Sequence, residues 1–271
     1  MKLSIVISTH PTDFAALAYK GDFEAGLKNA SQLGYDGVEL AIRNPVDVDY
    51  DQLVYLLQEY GLELVAIGTG QAYLQEGLSF AHPAESVRCQ AVTRVKQHID
   101  LASCFGTKVI IGLLRGKVEA GMDKSQCLGW MKDCFVQCLT YAAKNDTTVV
   151  IEPLNRYETN LINTAGEAVE LIKELSFPNF QLLLDSFHMN IEEVSIEETI
   201  RDYAAYIGHV HVADSNRWAP GFGHLDFSKI IAALEKAGYV GYLSAEIIPQ
   251  PDPDIAVRQT LTCLRPMIHA L

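Results

Sequence analysis

Along the chain, short runs rich in β-branched and other apolar residues alternate with longer stretches whose apolar positions recur every three or four residues. The short runs suit buried strands and the longer ones suit helices with one face on a core, so the alternation predicts βα units around a parallel sheet. The strand-like runs are LSIVIS (3–8), GVELAI (37–42), LVAIGT (64–69), KVIIGL (108–113), TVVIEP (148–153), QLLLDS (181–186), HVHVAD (209–214) and YLSAEI (242–247). A helical pattern follows each of them, and several of these patterns reach a glycine, at Gly34, Gly61, Gly106 and Gly238, where a helix can close through a left-handed residue. Eight such units predict an α/β fold of one domain spanning residues 1–271, a (β/α)8 TIM barrel. The rival arrangement, a doubly wound open sheet, lacks its GxGxxG turn after the first strand.

In a barrel of this kind the carboxyl ends of the strands and the loops after them form the active face. The fifth to eighth runs all finish on groups that packing does not explain: Glu152, Asp185, His211 and Glu246. Burying one unpaired carboxylate costs roughly several kcal/mol before it neutralises. The arginines near strand ends, Arg43, Arg115, Arg156 and Arg217, are too few to make the set a group of structural ion pairs. The spacings of 33, 26 and 35 residues each equal one βα repeat, so the side chains come from consecutive strands and can converge. Three carboxylates and an imidazole suit a divalent ion tolerant of octahedral geometry, Mn2+ before Mg2+ or Co2+. Two open positions would accept the adjacent carbonyl and hydroxyl oxygens of a sugar, and the ion would stabilise an enediolate formed on loss of the neighbouring proton. Glu152 and Glu246, on the outer two of these four strands, are placed to handle that proton from opposite faces. His209 and His211 share one strand face; His211, nearer the carboxyl end, is the expected ligand and His209 an interior residue.

Composition narrows the partners. A net charge of -13 without a basic stripe argues against nucleic acid. No stretch approaches the ~18 apolar residues of a membrane span, and MKLSIVIST lacks a signal-peptide core, so a cytoplasmic protein without a membrane partner is expected. The 6 cysteines form no CxxC pair and are read as reduced packing residues.

The segments EPLNRYET, LDSFHMNIEE and HVHVADSNR, the PG, GH and DF that follow, and the closing AE strand resemble the xylose-isomerase-like sugar isomerase/epimerase superfamily. Within it they are most similar to the metal-dependent ketose 3-epimerases, such as the D-tagatose and D-psicose 3-epimerases. The likeness spans the chain in architecture, and its specific motifs lie in residues 149–249. It implies Glu152, Asp185, His211 and Glu246 as metal ligands, Glu152 and Glu246 as the acid/base pair, and Glu158, His188 and Arg217 at the C1–C2 end of a sugar. It also implies a small-molecule sugar substrate, no organic cofactor and a dimer or tetramer. The expected reaction is epimerisation of a ketose at C3. The alternatives are an aldose–ketose or hydroxypyruvate isomerase, an inosose dehydratase and, less favoured by the acidic charge, an abasic-site endonuclease.

The first half of the chain should select the sugar. Arg43 in AIRNP and Arg115 in GLLRGK are expected to face the mouth and to bind a phosphate or carboxylate, which would make the substrate an anionic ketose; otherwise they pair with Glu39, Asp47 or Glu119. Gly68 and Gly70 permit close approach of a ligand, and residues 68–83 read as a long loop able to act as a lid. His10, His82 and His224 fall in loops and are read as solvated.

Overall fold

The computed structural model describes residues 1–269. Eight parallel strands close on themselves in sequence order: β1 (Lys2–Ser8), β2 (Gly37–Ala41), β3 (Glu63–Gly68), β4 (Lys108–Ile111), β5 (Thr148–Ile151), β6 (Phe180–Asp185), β7 (Ile207–Val212) and β8 (Tyr242–Ala245). The ring is sealed by β1 pairing with β8, in the register Leu3 to Leu243 and Ile5 to Ala245. Closure removes every free sheet edge, and the helices cover the outside. The strands are therefore near-continuous apolar runs, with Leu3, Ile5, Ile7, Val109, Ile111, Val149, Ile151, Leu182 and Leu184 all buried in one large core.

The helices are α1 (Phe23–Leu33), α2 (Tyr50–Tyr60), α3 (Gly70–Glu76), α4 (Glu85–Phe105), α5 (Lys124–Lys144), α6 (Ala165–Leu175), α7 (Ser186–Glu192), α8 (Ile196–Asp202), α9 (Phe227–Lys236) and α10 (Pro253–His269). Gly34, Gly61 and Gly106 close α1, α2 and α4 in the left-handed conformation, as their positions in the sequence suggested. Asp22, Asp49 and Asp123 cap the starts of α1, α2 and α5 through their side chains, and Thr164 with Glu167 forms a reciprocal capping box on α6.

Two short helices depart from the sequence reading. Residues 68–83 are not an open loop: they contain α3, which Gln71 ties to β1 by donating from Nε2 to Ser8 Oγ at 2.6 Å. The other, α7, starts directly on Asp185, whose Oδ1 accepts from the backbone N–H groups of Phe187 and His188. Each has 7 residues, too few to show a periodic pattern.

Candidate active site

At the carboxyl-terminal mouth of the barrel, the four polar strand endings meet. Glu152 directly follows β5, Asp185 ends β6, His211 is the penultimate residue of β7, and Glu246 directly follows β8. The register pairs Asp185 with His211 and Val212 with Ala245, which brings the side chains to one layer. One ligand atom from each of the four lies within 4.8 Å of all the others. His211 Nδ1 stands 3.3 Å from Glu152 Oε1 and 3.7 Å from Asp185 Oδ2. These three atoms are buried and have no hydrogen-bond partner among the described residues. Partnerless polar atoms at such short range are costly unless a cation, or without it a proton, completes them, so the residues fit the divalent ion expected from their chemistry.

The protonation states respond to this crowding. Burial raises the carboxyls of Glu152, Asp185 and Glu246; Asp185, with the charge of Glu152 adding to burial, is pushed up to about 6. His211 moves the other way from burial: the carboxylates of Glu39 and Glu152 hold it well above the ordinary histidine range. Below the ligand layer, Glu39 Oε2 accepts from Nε2 of His211 at 3.0 Å and from Nε2 of His209 at 2.9 Å. Burial opposes ionisation of Glu39, but His211 and His209 together keep it well below the usual carboxylate range.

A second group of side chains lies beside the ligand set. Arg217 donates from one amino group to Glu246 Oε2 at 2.7 Å and from the other to Glu158 Oε1 at 2.8 Å. Its guanidinium packs 5.4 Å from the Phe14 ring centre and 5.1 Å from that of Phe187. The backbone of Arg217 is left-handed, with φ at 63°, a conformation that costs a side-chain-bearing residue free energy and persists where the surroundings enforce it. Here the enforcement comes from Asp214, whose buried carboxylate accepts from the N–H groups of Ser215, Gly221 and Leu225 and so ties the turn together. The carbonyl of Arg217 also accepts from Ile248 N at 2.7 Å, just beyond Glu246. Asn155 joins this group to His188: its backbone N–H donates to His188 Nδ1 at 3.2 Å, and its amide donates to Glu158 Oε1 at 3.1 Å. With Nδ1 accepting, the proton of a neutral imidazole sits on Nε2, and burial together with the charge of Arg217 does keep His188 neutral. His188 Nε2 is buried without a partner among the described residues, 3.9 Å from Glu152 Oε1.

The cleft over these groups is walled on the other side by Phe14, Ala41, Leu74 and Leu113. The two arginines expected at its mouth are not among its lining residues. Arg115 is fully buried and turned into the protein, donating to the carbonyls of Leu161 at 2.9 Å, Gly112 at 2.7 Å and Ile162 at 2.9 Å. The guanidinium fork thus ties the turn after β4, through Gly112, to the segment between β5 and α6, through Leu161 and Ile162. Arg43 lies outside the cleft, 3.7 Å from both Asp47 and Glu76. Gly68 does line the cleft, yet a Cβ there would meet nothing closer than 3.9 Å. The glycine that crowding demands is Gly112, where a Cβ would stand 2.6 Å from Glu152 Oε2. Glu39, Asn155, Asp214 and Gly112 were absent from the expected site. Of these, Glu39 left the clearest trace, a carboxylate in the middle of an apolar run.

Comparison with known proteins agrees with the fold. Residues 27–267 match the model of the family described as xylose isomerase-like TIM barrel. The L-ribulose 3-epimerase of Mesorhizobium japonicum is 30% identical over 242 residues, covering 89% of this chain and 80% of the relative. The hydroxypyruvate isomerase of Escherichia coli is 29% identical over 247 residues, covering 88% and 92%. A solved structure of an L-ribulose 3-epimerase superposes with a TM-score of 0.84 at 25% identity, covering 98% of this chain and 94% of that one. The chain belongs to the xylose isomerase-like TIM barrel family. It is an enzyme of the isomerase class.

Proposed function

We propose that this enzyme is a divalent-metal-dependent epimerase of ketose sugars that inverts C3 through a cis-enediolate, with Glu152 and Glu246 as the acid/base pair. The observation that carries the reading is the convergence of Glu152, Asp185, His211 and Glu246, with three orphaned ligand atoms, at the floor of a cleft that Glu152, His211 and Glu246 line. A divalent cation held by these four residues, Mn2+ before Mg2+ or Co2+, supplies electrostatic stabilisation of the negative charge that develops on the sugar oxygens.

The remaining work falls to the side chains. One glutamate removes the C3 proton and the other returns a proton to the opposite face, which requires one to begin ionised and the other protonated. Burial raises both carboxyls, and this brings their proton affinity toward that of the groups they exchange with. Arg217 fixes Glu246 through a direct bond, and Glu158 fixes Arg217. Neutral His188 offers its Nε2–H to a carbonyl oxygen at the C1–C2 end of the sugar, held in that tautomer by Asn155. The family resemblance implies no organic cofactor and a dimer or tetramer, and the enzyme is proposed to be cytoplasmic.

Turnover in D2O tests the mechanism: label at C3 of the recovered sugar is expected. Label at C1 or C2 instead would favour the second reading, an aldose–ketose isomerase, which the match to the Escherichia coli hydroxypyruvate isomerase keeps in play. Full activity after metal stripping and in EDTA would overturn both. The positions of Arg43 and Arg115 give no support to an anionic sugar. A panel of free, phosphorylated and acid ketoses with Mn2+ decides that point.

A further inference from the structure

We propose that Glu39 is a positioning residue for the cation site, with His209 as its second anchor. This inference rests on the metal-dependent reading above. Glu39 lies in the middle of β2, paired with Val6 of β1, and points into the barrel. It is 2% exposed, and His209 and His211 are each 1% exposed. The bonds at 2.9 and 3.0 Å join it to β7, on another part of the barrel wall, directly beneath the ligand layer.

Both imidazoles reach the same oxygen, Oε2, through Nε2. A carboxylate only accepts, so Nε2 of His211 carries a proton and Nδ1 is the nitrogen turned to Glu152 and Asp185. An imidazole ligand held through its other ring nitrogen by a carboxylate has a fixed orientation and a more basic donor atom. Glu39 meets that description from a strand that contributes no ligand. His209 supports the same arrangement, because its N–H on the same oxygen fixes the carboxylate that fixes His211. Two histidines on one strand face are thus one ligand and one anchor.

The competing account makes Glu39 and His209 a tie across the barrel with no bearing on the cation. Isothermal titration of metal-stripped protein with Mn2+, alongside thermal melting and the visible spectrum of the Co2+-loaded form, separates the two. Glu39→Gln is expected to weaken Mn2+ binding roughly 10- to 100-fold and to shift the Co2+ bands, because the amide offers no charge and only one accepting atom. His209→Gln should weaken binding in the same direction by less. A Glu39→Gln protein that melts lower yet keeps the wild-type Mn2+ affinity and Co2+ spectrum would overturn the assignment in favour of the tie. If Glu39→Gln does not fold, His209→Gln decides: weaker Mn2+ binding supports the assignment, and unchanged affinity overturns it. Wild-type protein that binds no Mn2+ would instead overturn the metal-dependent reading, and this assignment with it.

Discussion

Two arginines, the fully buried Arg115 after β4 and the partly buried Arg217 after β7, occupy comparable places in the barrel and do opposite things. Arg115 directs its donors to the backbone carbonyls of Gly112, Leu161 and Ile162, and so closes a piece of chain. Arg217 directs its donors to two carboxylates, Glu158 and Glu246, and leaves Nε without a partner among the described residues. One guanidinium completes the fold and the other completes the site. Residue type is shared, so it does not distinguish a structural arginine from a functional one; the identity of the acceptors does.

The same substitution at both positions should therefore give different losses. Arg217→Lys keeps the charge but cannot hold two carboxylates in one planar fork, and kcat/KM is expected to fall roughly 100-fold or more with the melting temperature little changed. Arg115→Lys leaves at least one of three carbonyls unsatisfied and should cost about 2–3 kcal/mol in denaturant unfolding, while the folded enzyme keeps its kcat within a small factor. Equal loss of turnover in the two variants would erase the contrast.

A smaller effect distinguishes the carboxylate cluster from the surrounding core. The Asp185 carboxyl rises from its ordinary 3.8 to about 6, so between these pH values the native chain holds a proton that the unfolded chain has lost. That contribution to stability is present below the lower value and disappears as pH rises through about 6 in metal-free protein. Mn2+ acts in the reverse sense, because its ligands must be deprotonated to bind. The rise in melting temperature produced by Mn2+ should accordingly be slight near pH 5 and grow towards pH 7; a constant rise would place the titrating group elsewhere. The smallest effect is expected at Arg43. Its contacts are long and half-exposed, so Arg43→Ala should change stability by less than about 0.5 kcal/mol. It should also leave turnover of free and anionic ketoses alike; selective loss on an anionic sugar would restore the role first expected of it.

The barrel and the ligand cluster were readable in the chain for one physical reason. Strand ends in a closed parallel sheet recur once per βα unit, so Glu152, Asp185, His211 and Glu246 carry their spatial relation in their spacing. Arg115 was misplaced because a strand's alternation does not extend into the turn beyond it, and nothing in GLLRGK reports which way a side chain leaves a 3-10 turn. Glu39 was passed over because attention to what strands end in ignores a carboxylate in mid-strand, although the same cost of burial applies to it. Gly112 could not be picked out, since its neighbour Glu152 is 40 residues away and they meet only across the β4–β5 pair.

The left-handed backbone at Arg217 bears on attempts to engineer the enzyme. Glycine adopts that conformation without penalty, and replacing a strained residue by glycine relieves its steric cost. Arg217→Gly would remove that strain but would leave Glu246 and Glu158 without their guanidinium. Position 217 should be held constant in any library, because the strained turn is what keeps Glu246 oriented.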